Sequence, residues 1–75
     1  MSKWVLINEE DAGDDVSIEG DTIEAALLTA YNEMCKPQGV SFETATRNSV
    51  GGYMMFEADH RSPTFVIPAR CIRPA

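Results

Sequence analysis

The sequence predicts a small α+β domain: an antiparallel sheet of four to five strands with one helix packed on one face, in the order β-β-α-β-β-β. Three observations support this prediction. The chain has 75 residues and a mass of 8.3 kDa, which allows a single domain over residues 1–75. Its hydrophobic content of 44% is that of an ordinary globular protein. One segment has helical periodicity, and the apolar runs around it are short and strand-like.

The first two strands are predicted to form a hairpin. Residues 3–8 (KWVLIN) are rich in β-branched and aromatic side chains, and residues 16–19 (VSIE) alternate between apolar and polar. Between them lies the acidic loop, defined here as residues 9–15 (EEDAGDD), with Gly13 near its centre. Because a polar segment with glycine between two strands favours a turn, we expect an N-terminal hairpin.

The helix is predicted over Thr22–Lys36. Asp21 is a favourable N-cap, and Glu24 follows at the spacing from which a side chain can reach back to the cap. Pro37 cannot continue the helix. The apolar positions recur at i, i+4, i+7, i+8 and i+11, so they form one stripe that should face the sheet. These positions are Ile23, Leu27, Ala30, Tyr31 and Met34.

Three strand-like runs follow the helix. They span residues 40–46, 53–58 and 64–67, with turn segments at 48–52 and 59–63. Pro68 has no backbone N–H, so the last strand is interrupted there or runs along an edge, and we expect the residues after it to form a tail. The sheet positions predicted to face the helix are Val16, Ile18, Val40, Phe42 and Phe56.

The strand at residues 53–58 is apolar on both faces, although one helix can cover only one face of a sheet. Because Glu57 shares a face with Tyr53 and Met55, we predict that this set points outward. The opposite set should point inward: Met54, Phe56 and Ala58. Exposed apolar patches mark interfaces, so Tyr53 and Met55 are predicted to contact a partner or a second copy. The alternative is that residues 68–75 fold back over this face.

The charge is acidic and uneven. Twelve acidic and six basic residues give a net charge of −6, which argues against direct binding of nucleic acid. Residues 1–37 hold nine acids and two bases, whereas residues 38–75 hold three acids and four arginines. Clustered carboxylates accelerate association with a positive surface, so we predict that those of the acidic loop bind a basic partner protein. They are Glu9, Glu10, Asp11, Asp14 and Asp15; the alternative is a merely solvated hairpin tip.

The sequence contains no pattern typical of a catalytic or metal site. His60 is the one histidine, and the adjacent Asp59 lies in the same turn, where neighbouring side chains point apart. A calcium loop centred on Gly13 would place Ala12 where an oxygen ligand is required. Phosphate-binding glycine loops, serine elbows and zinc-ligand spacings do not occur. We therefore predict a protein that is not an enzyme and takes no metal or cofactor.

The cysteines and the hydropathy indicate a cytoplasmic protein. Cys35 and Cys71 are far apart and belong to no metal-ligand pair, so they fit two free thiols in a reducing compartment, although one disulfide is possible. No apolar run approaches the roughly 18 residues of a membrane span, and no charged-then-apolar leader opens the chain. We expect no membrane partner.

The chain resembles small phage-encoded inhibitors, notably anti-CRISPR proteins. The similarity lies in the initial strand, the acidic turn, the segment VSIEG, the capped helix TIEAALLTAYNEM and the following strands. It covers most of the chain, as layout and charge. It implies a non-enzymatic inhibitor that occupies a basic surface of a CRISPR effector or another nucleic-acid-handling complex. A second hypothesis is a structural or regulatory module that self-associates as a homodimer through its sheet.

Overall fold

The computed structural model describes residues 1–10 and 13–75. Within them, the chain has one α-helix and six strands, and the strands form two three-stranded antiparallel sheets. This confirms the α+β class. The strands are β1 (Ser2–Leu6), β2 (Val16–Gly20), β3 (Phe42–Arg47), β4 (Tyr53–Glu57), β5 (Phe65–Ile67) and β6 (Ile72–Pro74). The helix α1 spans Ile23–Cys35, and short 3₁₀ turns occupy Lys36–Gln38 and Ala69–Cys71.

The first sheet has the strand order β2-β1-β6. β1 and β2 form the predicted hairpin, with Leu6 opposite Val16. On the other side of β1, Leu6 pairs with Ile72 of β6. The ladder is extended by the Ile7 N–H, which donates to the Cys71 carbonyl at 2.7 Å. The C-terminal residues therefore form a strand of the N-terminal sheet, where the sequence predicted a ragged tail held at Cys71 and Ile72.

The second sheet has the order β3-β4-β5, so the expected single sheet of four to five strands is in fact two sheets of three. The division occurs after β5. Pro68 lies there in an extended conformation, and the following 3₁₀ turn carries the chain across to β1. Because proline donates no hydrogen bond to a ladder, β5 does not continue past it.

The helix matches its predicted position to within one residue at each end. Its N-cap is Thr22 instead of the predicted Asp21, and the Thr22 hydroxyl oxygen accepts a hydrogen bond from the Ala25 N–H at 3.1 Å. After α1, Gly39 turns the chain in the left-handed region with φ 72°. The helix contacts both β2 and β3, so it packs against both sheets.

The amide of Asn32 fixes α1 to the start of β3. Its Oδ1 accepts from the Phe42 N–H at 2.6 Å, and its Nδ2 donates to the Phe42 carbonyl at 3.1 Å. Both backbone polar groups of this buried residue are thereby satisfied by one side chain. The Phe42 ring then meets Tyr31 of the helix edge-on, with centroids 6.1 Å apart.

The core lies between α1 and the two sheets and contains ten buried hydrophobic residues among those that the structure describes. They are Leu6, Ile18, Ala26, Leu27, Phe42, Ala45, Tyr53, Met55, Ile67 and Cys71. The predicted burial of Ile18, Leu27 and Phe42 is confirmed, and the other predicted positions Ile23, Ala30, Tyr31 and Val40 are partly buried against this core. Met34 and Val16 were also predicted to be core residues, yet 43% and 36% of their surfaces are exposed.

The predicted orientation of β4 is wrong. Tyr53 and Met55 are 7% and 0% exposed, so both are core residues, whereas Met54 and Phe56 on the other face are only half-buried and Ala58 is exposed. Glu57 shares the buried face but lies at the end of the strand. Its Oε2 accepts from the Thr64 hydroxyl at 2.7 Å and lies 3.4 Å from His60 Nδ1. The carboxylate is therefore satisfied locally and does not turn the strand outward.

Candidate functional site

A groove of about 530 Å³ is formed by residues of both sheets and of α1. Its lining includes the end of β1, residues 9, 10 and 14 of the acidic loop, the start of β2, part of the C-terminal half of α1 and the whole of β5. Three of its lining residues, Leu6, Ile67 and Cys71, are also buried core residues. The groove is thus the open end of the hydrophobic core.

Exposed apolar side chains are concentrated around this groove. Among the described residues, six large hydrophobic side chains are exposed, and two of these, Met1 and Val50, lie elsewhere. The other four all line the groove: Val16, Met34, Phe65 and Val66. The Phe65 ring lies 5.6 Å from the Tyr31 ring, centroid to centroid, which ties the groove wall to the helix. Clustered apolar exposure of this kind is typical of an interaction site.

Three carboxylates of the acidic loop line the same groove, namely Glu9, Glu10 and Asp14. No Lys, Arg or His occurs in the lining among the described residues. Asp15 is exposed outside the lining, and its Oδ1 accepts from the Asn8 N–H at 3.2 Å, which closes the base of the loop. Asp11 lies outside the described residues. Three of the four predicted carboxylates that can be placed therefore line the groove, and their role in binding a partner stays a prediction.

Arg70 holds the acidic loop against the 3₁₀ turn before β6. Its Nε donates to Glu9 Oε2 at 2.9 Å and its Nη2 donates to Glu9 Oε1 at 3.1 Å, so the pairing is bidentate. Hydrogen bonding by Arg70 first, and then by the Cys71 thiol, lowers the pKa of Glu9, whereas burial raises the pKa of the Cys71 thiol. No ion pair within the described residues includes Glu10 or Asp14, so their charges face the solvent.

Replacing Arg70 by glutamine should raise the pKa of Glu9 towards its ordinary value of about 4.3. In the parent, the folded pKa is lowered, so the bridge stabilises the fold above the unfolded pKa and loses this effect as the pH falls through the folded pKa. A carbon-detected NMR titration of the Glu9 carboxyl in both proteins measures the shift. Arg73→Gln is the matched control and should leave Glu9 unchanged. Identical Glu9 titrations in the parent and Arg70→Gln would show that the bridge does not form in solution.

The other predicted contacts do not belong to the groove. Tyr53 and Met55 are buried in the core, where neither a partner nor a second copy can touch them. Cys35 and Cys71 are both free thiols. Across the described residues, no three His, Cys, Asp or Glu side chains are grouped closely enough to hold a metal ion. In the same part of the chain, no helix is long and apolar enough to cross a membrane.

Comparisons of the chain with protein-family models, with curated proteins and with solved structures give no match. The part of the site that sequence reasoning missed is the apolar half, since Met34 and Val16 follow the core periodicity and Phe65 and Val66 lie in a short apolar strand. Arg70 was also missed, because its partner Glu9 is 61 residues away and no local pattern connects them.

Proposed function

We propose that this protein is a non-enzymatic binding protein that inhibits its partner by occupying a basic surface. The observation behind the proposal is that carboxylates and exposed apolar side chains of the described residues converge on one groove. An interface with an apolar centre and a charged rim has the composition of a protein-binding site. The open carboxylates of Glu10 and Asp14 give this site a negative charge that a cationic surface complements.

The partner surface in this proposal is one that handles nucleic acid. Such surfaces are rich in Lys and Arg because they neutralise phosphates, and an acidic protein competes for the same charges. The net charge of −6 attracts that surface before contact and repels nucleic acid itself. This proposal agrees with the resemblance to anti-CRISPR inhibitors, which stays a prediction. The homodimer hypothesis loses its main support, because Tyr53 and Met55 are buried and cannot form a sheet interface.

The test compares two triple variants with the same net charge. The loop variant carries Glu10→Gln, Asp14→Asn and Asp15→Asn, and the matched control carries Asp21→Asn, Glu33→Gln and Glu43→Gln. All six carboxylates are exposed, and asparagine at position 15 retains the oxygen that the Asn8 N–H requires. The parent protein is first used to capture its partner from the source cell, and the purified partner is then immobilised for association-rate measurements at low and high salt.

We expect the loop variant to associate about tenfold or more slowly than the parent, because local charge steers the encounter. The parent rate should fall as salt rises, and the dissociation rate should change less than the association rate. The control variant should remain close to the parent, since its removed charges lie away from the groove. A loop variant that associates as fast as the parent, or a partner without a basic surface, would contradict the proposal.

A further inference from the structure

We infer that the groove binds a short peptide segment of the partner in which one apolar side chain is flanked by arginine or lysine. This inference rests on the proposed function and specifies its ligand. Two properties of the groove support it. The apolar floor fits an apolar side chain, and the acidic rim, which has no basic residue in its described lining, fits the neighbouring cations.

The apolar floor of the groove can accommodate one apolar side chain of a ligand. Val16, Met34 and Phe65 are each partly exposed around a base formed by buried residues such as Leu6. Because these side chains line the groove together with the buried residues Leu6, Ile67 and Cys71, an inserted apolar side chain would pack against both sets. The volume of about 530 Å³ lies within the range of roughly 300–1,000 Å³ that is typical of ligand pockets. It is therefore large enough for a bulky side chain together with its backbone.

The acidic rim selects the residues on either side of that side chain. Glu9 already accepts hydrogen bonds from Nε and Nη2 of Arg70 at 2.9 and 3.1 Å, so a carboxylate of this rim can pair with an arginine. Glu10 and Asp14 line the same groove, and no ion pair of the described residues includes them. A cation beside the inserted side chain would pair with these two carboxylates.

Charge complementarity also favours a cationic peptide over other possible occupants of the groove. An anionic lipid headgroup or a nucleic acid would bring negative charge against Glu10 and Asp14, which is unfavourable. A second copy of this chain carries a net charge of −6 and would be repelled at long range. A cationic peptide with an apolar side chain satisfies both halves of the groove.

The experiment uses the full chain and three fluorescent peptides of equal length. The first has leucine between two arginines, the second has serine in place of leucine, and the third has glutamate in place of both arginines. Fluorescence anisotropy gives the affinities, and amide chemical shifts locate the binding site. We expect the first peptide to bind at least about tenfold more tightly than either of the others, with shifts confined to the groove, because only it fills both halves.

Variants then test the apolar half of the groove. Val16→Thr combined with Met34→Gln should weaken the first peptide by about tenfold, since both changes place polar atoms on the floor. Val50→Thr is the matched control, because Val50 is 81% exposed and lies outside the groove, and it should bind as the parent does. Thermal melting of each variant confirms that it is folded, and light scattering reports its mass.

The outcomes distinguish this inference from the proposed function. Equal binding of the leucine and serine peptides, or no binding of either, would overturn the groove inference, while the loop-variant rates would still decide the proposed function. Unchanged binding of the first peptide to Glu10→Gln/Asp14→Asn would show that the carboxylates attract no cation, and would count against both. Floor variants that alter only the oligomeric mass, and not peptide binding, would identify a second copy as the occupant and also overturn the inference.

Discussion

Replacing Met55 by alanine should lower the free energy of unfolding by about 2–5 kcal/mol, the range for a buried methionine truncated to alanine. Met55 is fully buried on the central strand of its sheet, opposite Ala45 on one side and Phe65 on the other. The cavity left behind would lie in the core, where the paired strands β3 and β5 on either side of Met55 limit its collapse. Small domains have a total stability of only about 5–15 kcal/mol, so this loss is a large fraction of the whole.

Urea unfolding followed by Trp4 fluorescence measures this loss, and Met34→Ala is the matched control. Met34 is 43% exposed at the groove, so the same truncation there should cost less than about 1 kcal/mol. Tyr53→Ala should resemble Met55→Ala, because Tyr53 is buried on the same face. Should Met55→Ala unfold at the same urea concentration as the parent, the orientation of β4 described above would be wrong.

The features predicted correctly are those encoded by neighbouring residues. The N-terminal hairpin follows from two alternating runs on either side of a polar turn, and both strands are present with the expected antiparallel pairing. The helix follows from its apolar stripe and from Pro37, which lies in the 3₁₀ turn directly after α1. Capping by Thr22 in place of Asp21 changes the start by one residue, because both side chains are suitable caps.

The features predicted wrongly depend on contacts between distant residues. β6 has three residues, including Pro74, and becomes a strand only because β1 presents an unpaired edge to it. The predicted orientation of β4 relied on Glu57, but its carboxylate accepts a hydrogen bond from Thr64, seven residues further along the chain, and so does not require the strand face to be exposed. A strand with apolar residues on both faces gives no alternation from which its orientation could be read.

In the candidate site, too, one half could be predicted from neighbouring residues and the other half could not. The acidic loop is visible in the sequence because its carboxylates are consecutive or nearly so. Its apolar half is not visible, because Val16 begins β2 and Met34 lies near the end of α1, each at the limit of an otherwise buried stripe. Periodicity shows which way such residues face but not whether another element covers them. Here the described structure leaves them partly exposed, and the core opens into the groove at that point.

Replacing Gly52 by alanine should destabilise the fold by about 3 kcal/mol, towards the upper end of the range for overpacking. A Cβ at this position would lie 2.5 Å from the Ile67 carbonyl oxygen and 3.0 Å from Asn48 Nδ2. The first of these atoms belongs to the backbone of β5, so it can retreat only if the β4–β5 pairing shifts. The Gly52 N–H also donates to Asn48 Oδ1 at 2.8 Å, and displacing Asn48 would weaken this turn.

Gly39→Ala is the control for Gly52→Ala, because it distinguishes the cost of a steric clash from the cost of an unfavourable backbone conformation. Gly39 has φ 72°, and apart from its chain neighbours no heavy atom of the described residues lies within 4 Å of the position its Cβ would take, so alanine there incurs only the left-handed cost of about 1–2 kcal/mol. Urea unfolding of both variants should therefore show the larger loss for Gly52→Ala, accompanied by changed amide shifts in β5. Equal losses, with β5 unchanged, would mean that the backbone at Gly52 does not approach Ile67 as closely as the structure indicates.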